Sequence, residues 1–234
     1  MKAQLSMAFE DLAGKDGSVV ARRSKNGVIL TPYVIPRNPN TNAQETIRGY
    51  FGKGARAFRA LNNTQVAQWQ TYAETLTFRD PVTGKTYHPT DIAAFQQLAV
   101  RFLMANPTGT IPVTPPATPY LGDSITVTAT PSAGKVTFTA SAANSLGTKT
   151  ELLLQKLKGS HYNPTEGGYR SKAFVSFTAG SLSADVVVPP GYYAAGYRFV
   201  NTTTGQATEM VPIGVHQVTL SLEAGGTGSK RKAA

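Results

Sequence analysis

The sequence predicts an α+β fold in which a small helical N-terminal domain with a β-hairpin is followed by an all-β sandwich. Apolar residues recur at helical spacing before residue 107, and an alternating pattern rich in Val, Thr, Phe and Tyr follows residue 119. Five of the 13 residues at 107–119 are proline, which favours an extended spacer. The expected divisions are therefore a hairpin plus three-helix domain at 1–106, a linker at 107–119, the sandwich at 120–225 and a flexible basic tail at 226–234.

A β-hairpin is predicted at the start of the first domain. The segments SVVARR (18–23) and GVILTPYV (27–34) have the composition of short strands, and Asn26-Gly27 between them is a common pair for a tight turn. An isolated two-stranded hairpin is only marginally stable, so we expect this one to pack on the helices or on another chain. Three basic residues gather near its tip: Arg22, Arg23 and Lys25.

The first predicted helix begins at Thr41, which together with Gln44 fits the capping-box pattern. Its apolar residues recur at helical spacing: Ile47, Phe51, Ala55 and Phe58. Its arginines lie off that apolar stripe: Arg48, Arg56 and Arg59. Gly49, Gly52 and Gly54 each weaken the helix by about 1 kcal/mol relative to alanine. We therefore expect close packing against another backbone, or a helix that is stable only once docked.

Two further helices follow. The second is expected to use Thr64 as its cap and to bury Val66, Trp69, Ala73 and Leu76. The third begins at Thr90 or Asp91 and ends at Asn106-Pro107. Its expected buried face comprises Ile92, Phe95, Leu98, Ala99 and Phe102. Across the three helices, one set of aromatic residues is expected to form the structural core and not a base-stacking platform: Phe51, Phe58, Trp69, Phe95 and Phe102.

The second half of the chain predicts a β-sandwich. Seven or eight strand candidates lie between residues 117 and 225, separated by clusters of Gly, Pro, Ser or Asn at short intervals. The segment PPGYYAAGYRFVN (189–201) resembles the part of a fibronectin type III domain that contains the tyrosine corner, where a tyrosine hydroxyl bonds to upstream backbone. The resemblance implies an immunoglobulin- or fibronectin-like sandwich, with Tyr193 or Tyr197 in that position. It implies no activity.

Sequence patterns that would indicate catalysis are absent. The three histidines have no metal-ligand spacing, cysteine is absent, no Gly-x-Ser-x-Gly motif occurs, and the carboxylates are scattered. We therefore expect a protein that is not an enzyme, with no catalytic residue, metal or cofactor. No run of about 18 apolar residues occurs, so a membrane-spanning helix is not expected either.

The net charge of +10 suits an acidic partner. Nucleic acid, an anionic membrane and an acidic protein all fit, and charge alone leaves the choice open. Nucleic acid would be gripped by the basic side of the first helix and by the tail: Arg48, Lys53, Arg56, Arg59, Lys230, Arg231 and Lys232. A third hypothesis is a carbohydrate-binding surface formed by tyrosines of the sandwich: Tyr162, Tyr169, Tyr192 and Tyr193.

Three linked motifs lie between Gly14 and Ala73: Gly-Lys-x-Gly-x-Val-Val, Pro-Arg-Asn-Pro-x-Thr-x-x-Gln and Ala-x-Arg-Ala-Leu-x-x-x-Gln-x-x-x-Trp-x-x-Tyr-Ala. Together they resemble a group of structural proteins found among tailed-phage and prophage genes. The matching residues are Gly14, Gly17, Val19, Val20, Pro36, Arg37, Asn38, Pro39, Thr41, Gln44, Phe58, Leu61, Gln65, Trp69, Tyr72 and Ala73.

This resemblance implies a structural protein located in the virion, with a capsid auxiliary or decoration role favoured over a tail or neck position. The implied partners are other virion proteins, either the major capsid subunit or tail and neck subunits, and multiple copies of the chain itself. Nucleic acid is the less favoured partner, and no membrane is expected. The expected docking residues are Arg22, Arg23, Lys25, Arg37, Arg48, Arg56 and Arg59.

Overall fold

The computed structural model describes residues 2–3, 14–24, 27–35, 38, 40–80 and 83–220. The chain forms two compact units, Met1–Phe95 and Gln96–Ala234. The division falls within the third helix, whereas the sequence predicted a boundary in the proline-rich segment at 107–119. All residues of that segment are described, and it contains no helix or strand, as its prolines predicted.

The first unit combines a small antiparallel sheet with helices. Its described elements are β1 (Lys2–Ala3), β2 (Gly14–Asp16), β3 (Val19–Ser24), β4 (Gly27–Pro32), α1 (Asn42–Arg59), α2 (Asn63–Thr75), β5 (Phe78–Arg79), β6 (Thr86–Tyr87) and the beginning of α3 (Asp91–Ala105). The predicted hairpin is β3 with β4, and it forms the centre of a four-stranded sheet in the order β1-β4-β3-β2. Ser24 pairs with Gly27, and the predicted turn residue Asn26 lies outside the described residues.

Capping boxes fix the beginnings of α1 and α2. For α1 the predicted cap is confirmed: Thr41 Oγ1 accepts from the Gln44 N–H at 3.4 Å, and the Gln44 side chain accepts from the Thr41 N–H at 3.2 Å. For α2 the predicted cap, Thr64, is wrong. Asn62 occupies that position because it forms a complete capping box with Gln65, which places Thr64 inside the first turn.

Aromatic rings form the centre of the first unit. Trp69 is 2% exposed and meets Phe95 edge-on at a centroid distance of 5.0 Å, while Phe58 meets Phe95 at 5.4 Å. Trp69 and Phe95 are buried and Phe58 is partly buried. The prediction that Phe51 belongs to the core is wrong, because 51% of this residue is exposed. Phe102, the fifth predicted core residue, is buried within the second unit.

Other apolar residues are also less buried than helical spacing predicted. Val66 and Leu76 of the second predicted face are only partly buried, and Ile92 is exposed. Spacing identifies the apolar side of a helix, but the extent of its burial depends on which elements cover that side. The same reason explains the exposure of Phe51 on α1.

The second unit contains a sandwich of two antiparallel sheets. Its described strands are β7 (Val127–Ser132), β8 (Lys135–Ala140), β9 (Thr148–Leu157), β10 (Arg170–Val175), β11 (Ser183–Val187), β12 (Gly191–Asn201) and β13 (Val211–Val218). One sheet has the order β10-β9-β12-β13 and the other has the order β11-β8-β7. The last two predicted strands, around residues 207–213 and 215–223, correspond to the single strand β13.

A buried tyrosine links the turn before β12 to the sandwich core. Tyr193 is 3% exposed and donates its hydroxyl to the Pro189 carbonyl oxygen at 2.8 Å. Burial raises the pKa of this hydroxyl. The sequence left Tyr193 and Tyr197 as candidates for this bond, and Tyr193 makes it, whereas the Tyr197 ring packs against Phe199.

The end of α3 packs on the sandwich within the second unit. The helix ends at Ala105, directly before Asn106-Pro107, as the sequence predicted. The Asn106 side chain donates to the Thr202 carbonyl oxygen at 2.7 Å, and the Lys149 ammonium donates to the Ala105 carbonyl oxygen at 2.6 Å. A lysine at this position satisfies a terminal carbonyl group and complements the helix dipole. These bonds explain why the end of α3 groups with the sandwich.

A pair of glycine substitutions tests this packing. Gly205 and Gly134 both have a positive φ, 76° and 72°, so alanine is strained at either position. A Cβ at Gly205 would lie 2.3 Å from the Leu98 carbonyl oxygen, whereas a Cβ at Gly134 would meet no atom within 4 Å. We expect Gly205→Ala to destabilise the protein by about 1–3 kcal/mol more than Gly134→Ala. Urea unfolding measures both values, and equal losses would contradict the close contact between Gly205 and α3.

Candidate interaction surfaces

Helix α1 brings three of the predicted docking residues to one side. At 3.6 residues per turn, Arg48, Arg56 and Arg59 fall within about 80° of the helix circumference. All three are exposed. The remaining predicted docking residues are Arg22 and Arg23, which are exposed on β3, and Lys25 and Arg37, which lie outside the described residues.

Arg48 has a structural role that the sequence did not predict. Its guanidinium donates to the side-chain oxygens of Asn38 at 2.7 Å and Asn40 at 3.1 Å. Asn40 donates in turn to Glu45 at 2.5 Å, and its φ of 48° is one that asparagine tolerates better than most residues. These bonds tie the segment before α1 to the helix, so the guanidinium of Arg48 is already engaged within the chain.

The other two arginines on this side of α1, Arg56 and Arg59, are exposed to solvent. Only Gly54 is buried among the 18 residues of the helix. A Cβ at Gly49 would meet no atom within 4 Å, so close backbone packing does not account for that glycine. In the part of the chain that the structure describes, the side chains of Arg56 and Arg59 form no hydrogen bond or ion pair. These two arginines form what we call the α1 surface.

A second cationic surface lies on the sandwich. Lys156 of β9 and Arg170 and Lys172 of β10 line a groove of about 270 Å³ that also contacts the end of β11. Sequence reasoning missed this cluster because strand pairing brings its members together. The one local signal was the spacing of Arg170 and Lys172, which are two residues apart and therefore face the same side of a strand.

The predicted tyrosine surface for carbohydrate does not form as expected. Tyr193 is buried in the sandwich core, and its hydroxyl is bonded to Pro189. Of the other three residues, Tyr162 is exposed, while Tyr169 and Tyr192 are partly buried. Tyr193 is therefore removed from that hypothesis, because a stacking ring must present its face to the ligand.

The described residues contain no group of three or more His, Asp or Glu side chains that could hold a metal ion. Their helices include none with the length and apolar character needed to cross a membrane. His216 of β13 is half-buried, its Nε2 has no hydrogen-bond partner among the described residues, and burial lowers its pKa.

The lowered pKa of His216 predicts a pH dependence of stability. The unfolded chain binds a proton on this residue more readily than the folded chain does, so the stabilising contribution of the neutral form is complete above the usual pKa of about 6.5 and declines as the pH falls. We expect His216→Gln to reduce the loss of stability between pH 7.5 and 5.5 in urea unfolding. An unchanged pH dependence in the variant would contradict this role.

The described residues thus define an α+β protein with a two-sheet sandwich and two cationic surfaces. No protein-family profile and no curated protein matches the chain. Among solved structures, it is similar to the fn3 domain of human contactin 1, with 14% identity, 53% of this chain and 97% of that chain covered, and a TM-score of 0.31. It is also similar to entomopoxvirus fusolin, with 10% identity, 84% and 73% covered, and a TM-score of 0.26. The sandwich is defined by its own strand order, independently of these two proteins.

Proposed function

We propose that the chain is a non-enzymatic structural protein of a tailed-phage virion, with a capsid auxiliary or decoration role, and that the α1 surface docks on a neighbouring virion subunit. The observation that carries the docking proposal is the exposure of α1, an amphipathic helix of 18 residues with one buried residue. The virion assignment is supported by the resemblance of residues 14–73 to tailed-phage proteins.

The α1 surface favours an acidic protein partner. Arg56 and Arg59 supply two exposed charges that have no hydrogen-bond or ion-pair partner among the described residues. Arginine is one of the residue types that most often dominate binding energy at protein interfaces. Gly49 and Gly52 lower the intrinsic stability of α1, so a partner that fixes its backbone would stabilise the helix. Many copies on a lattice would make weak individual contacts effective.

We further propose that the sandwich is of the fibronectin type III class. Its strand order, β11-β8-β7 in one sheet and β10-β9-β12-β13 in the other, supports this assignment. The bond from the Tyr193 hydroxyl to Pro189 supplies the tyrosine corner of such domains. In the virion this module would project from the particle or connect neighbouring subunits.

The copy number of the chain in purified particles tests the proposed location. Quantitative mass spectrometry should find it in numbers comparable to those of the major capsid subunit. Absence from particles would overturn the virion proposal, and a handful of copies would move the protein to the neck or tail.

A charge-reversal variant tests the docking surface. We expect Arg56→Glu combined with Arg59→Glu to reduce incorporation into particles about tenfold, because two attractive charges become repulsive towards an acidic partner. Lys85→Glu combined with Lys158→Glu provides a control with the same change of charge, since both lysines are exposed and lie off α1. Circular dichroism would verify that all variants fold. Equal loss in the control would show that net charge, and not the α1 surface, governs incorporation.

Nucleic acid is the competing partner for the same arginines. Because Arg48 is bonded to Asn38 and Asn40, this side of α1 offers fewer cations for phosphate contacts than the sequence suggested. Titration against duplex DNA at several salt concentrations separates the two partners. Salt-sensitive binding that is lost in the double variant would assign the α1 surface to nucleic acid.

A further inference from the structure

The groove on the sandwich combines positive charge with an apolar floor. Three of its described lining residues are cationic, Lys156, Arg170 and Lys172, and none of the described ones is acidic. The floor includes Leu154 and Tyr193, which are buried in the sandwich core. The three cations are exposed, so salt screens their attraction for an anion, and the apolar floor limits water on one side of the contact only. The groove therefore has the chemical character of an anion site.

Arg170 is held in place by the backbone next to it. Its Nη1 donates to the carbonyl oxygens of Gly167 at 2.8 Å and Tyr169 at 3.1 Å. Its Nε and Nη2 form no hydrogen bond among the described residues. A planar guanidinium that is fixed by one nitrogen, with two further donors available, suits bidentate contact with an oxyanion.

A β-bulge next to the second cation, Lys172, keeps the following residue in the core. The pairing of β10 with β9 shifts between Ser171 and Ala173, which leaves Lys172 as the extra residue. Arg170 and Lys172 both line the groove, while Ala173 packs against the core. Without the bulge, Lys172 and Ala173 would face opposite sides of the sheet. The local backbone thus accommodates a lysine in the groove without breaking the core.

The cations of the groove have no acidic partner in the part of the chain that the structure describes. Lys156 and Lys172 are exposed and form no ion pair or hydrogen bond in the described residues. Their mutual repulsion, together with that of Arg170, is relieved by a bound anion of two or more charges. A volume of about 270 Å³ lies just below the range of small-ligand pockets, about 300–1,000 Å³.

We propose that this groove binds a small polyanion of the diphosphate type, with two linked tetrahedral oxyanion groups. Arg170 contacts one group through its planar donors, and Lys156 and Lys172 contact the other. The apolar floor accommodates the body of an organic diphosphate. This site lies on the sandwich and is independent of the docking function proposed for α1.

Calorimetric titration of the full chain with pyrophosphate at low salt tests the site. We expect saturable binding that is about tenfold weaker in Lys156→Gln and in Lys172→Gln, because each variant loses one charge-assisted contact. Arg170→Lys should weaken pyrophosphate binding by a similar factor although the charge is kept, because the planar guanidinium with its paired donors is lost. Lys158→Gln is the matched control, because this exposed lysine follows β9 but does not line the groove.

Each outcome supports or overturns the proposal. Unchanged pyrophosphate affinity in Lys158→Gln and in the Arg56→Glu, Arg59→Glu double variant would support a site confined to the groove. Absence of binding at low salt, or equal weakening in the Lys158 control, would overturn it. Inorganic phosphate should bind more weakly than pyrophosphate. If a single-stranded oligonucleotide without a terminal phosphate competed for the groove as well as pyrophosphate does, the ligand would be a nucleic acid backbone and not a small polyanion.

Discussion

Replacing Trp69 by alanine is expected to lower the free energy of unfolding of the first unit by about 3–5 kcal/mol. The indole is 2% exposed and meets the rings of Phe95 and Tyr72 edge-on at 5.0 and 5.6 Å. Truncation removes these contacts and leaves a cavity that its neighbours can fill only in part. In a small unit, such a loss approaches the whole stability margin.

Urea unfolding followed by the helical circular dichroism signal measures this effect. Tryptophan fluorescence is unsuitable, because the sequence contains a single tryptophan. Trp69→Phe should recover much of the stability, since it restores a ring beside Phe95. Phe51→Ala is the matched aromatic control and should cost far less, because Phe51 is 51% exposed. A comparable cost at Phe51 would show that the centre of the unit lies elsewhere.

The helix beginnings show how far a local pattern predicts structure. The capping box of Thr41 and Gln44 is complete within four residues, and the sequence alone identified it. At α2, Asn62 and Thr64 are both good capping residues. Only Asn62 has a glutamine three positions later, so the reciprocal bond with Gln65 decides between them.

Contacts that depend on distant residues were not predictable in the same way. Helical spacing showed that Phe51 lies on the apolar side of α1 but could not show that this side is left partly uncovered. The sequence predicted that Arg48 lies on the exposed side of α1. It could not predict the bonds of Arg48 to Asn38 and Asn40, because these depend on the path of the chain before the helix. The predicted docking set is thereby reduced, on α1, to Arg56 and Arg59.

The sandwich shows the same difference between local patterns and contacts that depend on distant residues. The bond from Tyr193 to Pro189 lies within one short segment, and the resemblance of that segment to part of a fibronectin type III domain left Tyr193 and Tyr197 as the two candidates for it. The cationic groove depends on the register of β10 against β9 and on the bulge at Lys172. No local pattern encodes that register, because it is determined by strand pairing across a long connection.

A buried ion pair on the sandwich leads to the second large expected effect. Glu151 of β9 is directly opposite Arg198 of β12, and its Oε2 accepts from the Arg198 Nε at 2.5 Å. The side chain of Glu151 is 1% exposed and that of Arg198 is 27% exposed. Glu151 Oε1 has no hydrogen-bond partner among the described residues. The carboxylate therefore depends on this one arginine to offset its removal from water.

Arg198→Met is expected to destabilise the sandwich by about 3 kcal/mol, because it leaves a buried carboxylate without a counter-charge. This value is at the low end for a buried pair, since water reaches part of Arg198. Glu151→Leu combined with Arg198→Met should recover most of the loss, because an apolar pair requires no desolvation of charge. Urea unfolding of the wild type, both single variants and the double variant gives the coupling energy directly. If the double variant were as unstable as Arg198→Met alone, packing by the arginine stem, and not its charge, would be the stabilising contribution.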